Sequence, residues 1–142
     1  MRVSAKADYA IKAVLDLAMH QRDELTPIQD IAARQAIPQR YLEQVLLVLK
    51  RSGLLTSKRG SSGGHHLSRP PEEITVGAVL RAVEGENAPF EGLGRRGNGY
   101  DLVELWTEIA GAVSQVVDGL TFGALAARVR ERRAALRPMY HI

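Results

Sequence analysis

Two groups of side chains in this 142-residue sequence carry chemistry that its remainder does not. The first is Lys58-Arg59-Gly60-Ser61-Ser62-Gly63-Gly64, two cations followed by small residues that let a backbone approach a phosphate oxygen. The second is one side of the stretch 39–52: Gln39, Arg40, Glu43, Gln44, Lys50 and Arg51. A glutamine amide matches the major-groove edge of adenine and a glutamate accepts from cytosine N4, while an arginine reads guanine or holds a phosphate. Chemistry of this kind suits a surface that grips a polyanion and reads bases. Catalysis finds no comparable support: no nucleophile–base pair, phosphate-cradling loop or metal-ligand spacing occurs, so an enzyme is not expected. His65-His66 is no metal pair either, because neighbouring strand residues point to opposite faces.

The elements that must position these residues follow from apolar spacing and turn residues. Ser4 is expected to cap a helix running to about His20, with Tyr9, Ile11, Val14, Leu15, Leu17 and Ala18 at helical intervals. Thr26-Pro27 reads as the N-cap and first-turn proline of a short helix to about Arg34, turning Ile28, Ile31 and Ala32 inward. Ile37-Pro38 ends that helix and begins the next, since proline disfavours a helical residue before it yet suits a first turn. The helix Gln39 to Ser52, about 20 Å long, buries Leu42, Val45, Leu46 and Leu49. Gly53 fits the left-handed residue that closes a helix. Leu54–Arg59 and His65–Ser68 are short strands joined by the glycine-rich tip. Helix, turn, helix and basic hairpin together describe a winged helix-turn-helix, a mainly α fold with a small β-hairpin wing.

Three regions follow. Residues 1–84 form the winged helix-turn-helix unit, closed by a helix that Thr75 caps and that turns Val76, Val79, Leu80 and Val83 inward. Residues 85–100 are a glycine-rich loop. Residues 101–142 hold a long helix capped by Asp101, a terminal helix capped by Thr121, and a tail. The stripe Leu102, Leu105, Trp106, Ile109, Val113, Val116 and Val117 is too apolar for a monomer's exterior, which predicts that the long helix pairs with a second copy. Arg128, Arg130, Arg132, Arg133 and Arg137 read as a solvated helix end, with a contact to DNA as the alternative.

Composition agrees with this picture. Residues 1–70 carry 11 Lys/Arg against 6 Asp/Glu, a net +5, whereas 71–142 carry 8 against 10, a net −2. The basic excess thus coincides with the helix-turn-helix, as phosphate binding requires. With no cysteine, the chain has no disulfide, thiolate zinc site or catalytic thiol. No apolar run approaches the roughly 18 residues of a membrane span, and no secretory h-region opens the chain, so a cytoplasmic location is the default.

Tyr41-Leu42-Glu43-Gln44, Ser52-Gly53-Leu54-Leu55, Arg59-Gly60, Gly63-Gly64, Ile74-Thr75 and Glu84-Gly85 resemble the Rrf2 family of bacterial transcription regulators. Ser4, Lys6, Tyr9 and Ala10 near the N-terminus and Leu105-Trp106 in the long helix fit the same pattern, so the resemblance spans nearly the whole chain. It implies a homodimer, acting as a repressor, that binds an imperfect palindrome in double-stranded DNA. By position, Arg59 resembles the family residue that enters a minor groove. Ser4, Lys6, Tyr41, Lys58, Ser61 and the Gly63–Gly64 backbone would hold phosphates beside the bases read by Glu43 and Gln44, with Gln39 on the same DNA-binding face and Arg40 reading guanine or holding a phosphate. Many members carry an iron–sulfur cluster on cysteines in the loop that is here Ala88–Tyr100. This chain has none there, Val103 stands where some members place a histidine ligand, and Asp8, a ligand position in one branch, reads as an ordinary helix residue. No cofactor is therefore expected.

The cysteine-free branch includes a repressor of cysteine metabolism whose aromatic tail closes on isoleucine, as Met139-Tyr140-His141-Ile142 does here. That resemblance implies control of sulfur genes through O-acetylserine sulfhydrylase, with Tyr140, His141 and Ile142 as the segment entering the enzyme. Two alternatives stay open: a small molecule binding directly near Phe90–Tyr100, and an interaction module whose DNA surface is vestigial. His65 departs from the family pattern, which has tyrosine after the two glycines.

Overall fold

The computed structural model describes residues 3–20, 25–86 and 102–137. Its elements are α1 (Ala5–His20), α2 (Ile28–Gln35), α3 (Gln39–Arg51), β1 (Leu55–Lys58), β2 (Gly64–Leu67), a 3-10 turn (Pro71–Glu73), α4 (Val76–Glu84), α5 (Val103–Gly119) and α6 (Phe122–Leu136). The fold is mainly helical with a two-stranded antiparallel hairpin, in the winged-helix arrangement expected from the sequence.

Helix α1 is the hub, packing against α2, α3, α4, α6 and β2. Its deepest face is built of small residues, Ala7, Ala10, Ala13 and Ala18 with Val14 and Leu17, whereas Tyr9, Ile11 and Leu15 are only half-buried. Alanines let several helices approach one axis closely, so the core fills from the partners: Ile31, Leu42, Val45, Leu49, Val79 and Phe122. Phe122 and Ala126 bring α6 back onto the body, with Arg130 Nη2 donating to the Met19 carbonyl at the end of α1 (3.1 Å).

Local signals set the boundaries. Ser4 Oγ accepts from the Ala7 amide at 3.0 Å and caps α1. Thr75 and Thr121 accept from the amides three residues on, at 3.1 Å each, and cap α4 and α6. These two caps also pair through the backbone, Val76 N donating to Leu120 O and Phe122 N to Ile74 O at 2.9 Å, so both helix starts lie side by side. Helix α3 ends in a Schellman motif: Gly53, at φ 79°, donates to Lys50 O and Leu54 donates to Leu49 O, both at 3.0 Å. In the turn between α2 and α3, Ala36 takes the left-handed conformation at φ 53°, a strained choice for a residue with a Cβ.

One cap expectation is corrected. Thr26 does not cap α2, whose N-cap is Pro27 with no side-chain bond. Its backbone instead pairs with His65, donating at 2.9 Å and accepting at 2.8 Å, which adds an isolated antiparallel bridge beside β2 and buries the residue. The wing is thereby stitched to the segment leading into α2. The Asp101 cap lies outside the described residues.

A buried ionic brace joins α1 to α2. Asp16 is 0% exposed and accepts from Arg34 Nε (2.9 Å), Arg34 Nη2 (2.8 Å) and Gln35 Nε2 (3.0 Å). The hydrogen bonds to Asp16 hold the Arg34 guanidinium's pKa above its ordinary value. Among the described residues no helix is long and apolar enough to cross a membrane.

Candidate nucleic-acid interface

Helix α3 presents the expected polar side to solvent. Its Leu42, Val45, Leu46 and Leu49 are buried against α1, α2 and α4, which leaves Gln39, Arg40, Tyr41, Glu43, Gln44, Lys50 and Arg51 exposed. The N-terminus of α1 comes alongside. Lys6, Tyr9, Tyr41 and Gln44 share a cleft of about 460 Å³, floored by Ala5 and Val45. An ammonium, two phenols and an amide thus line one hollow at the edge of α3, chemistry suited to seating a phosphate. Tyr9 belongs to this cleft although its helical spacing marked it only as apolar stripe.

Beyond α3 the chain enters the wing. Leu55 pairs with Leu67 and Lys58 with Gly64, and Gly63 N donates to Gly60 O at 3.0 Å to close the tip. Gly60, at φ 111°, starts that turn in a conformation other residues rarely adopt. Lys58, Arg59, Ser61 and Ser62 are all exposed on it. None of Lys6, Arg40, Lys50, Arg51, Lys58 and Arg59 has an acidic partner among the described residues, whereas Lys12 pairs with Asp8, Arg34 with Asp16 and Arg81 with Asp118; Arg69 and the arginines of α6 also lack an acidic partner among those residues. Cations without an ion-pair partner among the described residues are what a polyanion-binding surface needs.

Two expected phosphate contacts change character. Gly64 is buried, and a Cβ there would stand 2.6 Å from the Thr26 carbonyl oxygen; a Cβ on Gly63 would collide with the Lys58 carbonyl. Glycine is thus required at these positions by the wing's own packing, and the most exposed backbone of the tip is the turn at Gly60–Ser62. The Ser4 hydroxyl, besides capping α1, donates to Glu84 at the end of α4 and is already engaged within the fold.

His65 anchors the wing's base. Its Nδ1 lies 2.7 Å from Ser57 Oγ across the hairpin, and its backbone holds Thr26. Burial, and secondarily the Lys50 ammonium, push the imidazole below its ordinary pKa of 6.5. An unfolded chain then takes up the proton first as pH falls, so this residue's contribution is complete above about pH 6.5 and is lost through the lowered value. We expect wild type to lose more stability than His65→Tyr between about pH 7.5 and pH 5.5, in urea titrations at each pH. A stability difference constant across that range would contradict this account.

The α5 stripe is also exposed. No residue of this helix is buried; Leu102, Leu105, Ile109 and Val116 face solvent, and Trp106 and Val113 are half-covered. Its other side rests on α4, where Arg81 and Asp118 form a two-pronged ion pair at 2.6 and 2.8 Å. Residues 87–101, with the candidate ligand loop, and the tail residues Tyr140, His141 and Ile142 lie outside the described residues.

The Rrf2 family model, described as an iron-dependent transcriptional regulator, matches residues 3–128. Relatives named HTH-type transcriptional regulator IscR, from Aliivibrio salmonicida and Serratia proteamaculans, are each 36% identical over 129 residues. The match spans 88% of this chain, and 77% and 79% of theirs. The solved structure of CymR (YrzC), the global cysteine regulator of B. subtilis, matches with a TM-score of 0.79 at 33% identity, over 90% of this chain and 98% of that one. T. potens IscR matches with a TM-score of 0.79 at 30% identity, over 93% and 90%. These relatives are regulators, not enzymes. A thiolate-held iron–sulfur cluster does not fit the residues present, because the chain has no cysteine; among the described residues no three His, Asp or Glu side chains converge as a metal site.

Proposed function

Because the chain belongs to the Rrf2 family and is a DNA-binding transcriptional regulator, we propose that it works as a homodimeric repressor on an imperfect palindrome, without an iron–sulfur cluster. The carrying observation is the run of exposed cations without an acidic partner among the described residues, Arg40, Lys50 and Arg51 on α3 and Lys58 and Arg59 on the wing, beside the exposed Glu43 and Gln44. In this reading Gln39, Arg40, Glu43 and Gln44 face base edges in a major groove. Lys6 and Tyr41 hold a phosphate in their shared cleft, with Lys58 and Ser61 on the backbone and Arg59 in the flanking minor groove. The exposed stripe Leu102, Leu105, Trp106, Ile109, Val113 and Val116 pairs with its copy in a second chain, setting two α3 helices about one DNA turn apart.

Control of cysteine or sulfur genes, through O-acetylserine sulfhydrylase bound to Tyr140-His141-Ile142, is the leading physiological reading. It is supported by the likeness to the B. subtilis cysteine regulator and by the absence of cluster-binding cysteines.

Selection of random and genomic duplexes on the purified protein at two salt concentrations tests the proposal. The expected result is an enriched palindrome whose binding weakens steeply with salt, and whose full site Val116→Glu can no longer occupy as a dimer. Absence of enrichment at low salt overturns it. The sulfhydrylase arm expects added enzyme to shift operator affinity of the full chain and not of one ending before Tyr140; equal behaviour of both removes the tail from the mechanism.

A further inference from the structure

Leu47 stands in the middle of the face α3 turns to solvent, and nothing in the fold explains it. The residue is 46% exposed, unlike the four apolar side chains that fix the helix to the body. At about 100° per residue it lies about 20° around the helix from Arg40 and about 40° from Glu43 and Arg51. Gln44 is about 60° away, while the middle of the buried stripe is about 150° away. An isobutyl group is thus ringed by the hydrogen-bonding side chains offered to base edges. Leucine favours the helix at this position, as alanine, glutamine or lysine would, but only leucine adds a branched apolar tip to the face.

A major-groove floor has one apolar projection, the C5-methyl group of thymine. We infer that Leu47 is a specificity-determining contact to a thymine methyl in each half-site, an inference that rests on α3 being the groove-reading helix. Gln44, one turn earlier on the same face, can hold an adenine through N6 and N7, which brings the thymine of an A·T pair within the reach of the same helix turn. The pairing requires no water-mediated or ionic step: two hydrocarbon surfaces leave water together.

Deoxyuridine differs from thymidine only in lacking that methyl group, so it isolates the contact. With the selected operator in hand, each thymine is replaced in turn by deoxyuridine and affinity is measured for wild type, Leu47→Ala and Leu47→Gln. Wild type is expected to lose about four-fold at one thymine position per half-site, the value of one buried methyl. Both variants bind the parent operator more weakly, and uracil at that position then costs them nothing further. Because Leu47 is exposed, their circular dichroism and melting match wild type. A flat uracil scan for wild type, or a loss that persists in both variants, overturns the inference while leaving the DNA-binding reading intact. Failure of wild type to bind any duplex overturns that reading and this inference with it.

Discussion

Asp16→Ala lowers the thermal midpoint by about 10 °C, a loss of about 3 kcal/mol, while leaving every residue of the DNA-facing surface unchanged. The carboxylate is fully buried and receives three hydrogen bonds from two residues of α2. Deleting it strands the Arg34 guanidinium and the Gln35 amide without their acceptor and opens a small void under α1. Arg34 is 34% exposed at its side chain and recovers some hydration, which holds the cost to the lower end of what breaking a buried pair exacts. Asp16→Asn fills the same volume and can still accept from Gln35, so its loss falls between wild type and alanine. Differential scanning calorimetry on the three proteins gives the ordering; an alanine variant as stable as wild type would show that the brace contributes nothing. Since α2 carries the turn into α3, DNA affinity of Asp16→Ala should fall with temperature well before that of wild type.

Lys58→Ala/Arg59→Ala is the converse case, a large change in binding with none in folding. Both side chains are exposed on the wing without an acidic partner among the described residues, so their removal costs no packing and no ion pair. On the duplex they stand for two cations per chain and four in the proposed dimer. Every phosphate that goes unneutralised should flatten the slope of log affinity against log salt by about 0.9. Affinity at low salt should fall by on the order of a hundred-fold. Fluorescence anisotropy over a salt series reads both quantities, and melting of the free variant should match wild type. Unchanged affinity and slope would remove the wing from the interface.

Much of the fold was readable because the signals that place helices and turns are local. Apolar spacing located α1, α3 and α5; Thr75 and Thr121 cap where their positions suggested; Gly53 takes the left-handed conformation expected of it. What escaped depends on contacts between distant residues. Asp16 and Arg34 are 18 positions apart, and periodicity records an aspartate within an apolar stripe only as an interruption. Thr26 has the composition of a cap, yet pairing with His65 across 39 residues satisfies its backbone better. Gly63 and Gly64 suggested an approach to phosphate, and the separate packing demand that the carbonyls of Lys58 and Thr26 place on them was not visible. Ser4 donates to Glu84, 80 positions on, which no local pattern encodes. Leu47 was missed for another reason: a polar face is recognised by its charges, and a single leucine among them is easily counted as noise.

The left-handed Ala36 bears on how this reader of DNA can change over time. Its conformation carries a standing cost of about 1–2 kcal/mol at the joint between α2 and α3, one that glycine would not carry. Stability has therefore not been pressed to its maximum at the joint that leads into α3, the helix proposed to read bases. A single substitution at position 36 would create slack there, and slack is what lets a lineage try new residues at 40, 43, 44 and 47 without unfolding on the way to a new operator.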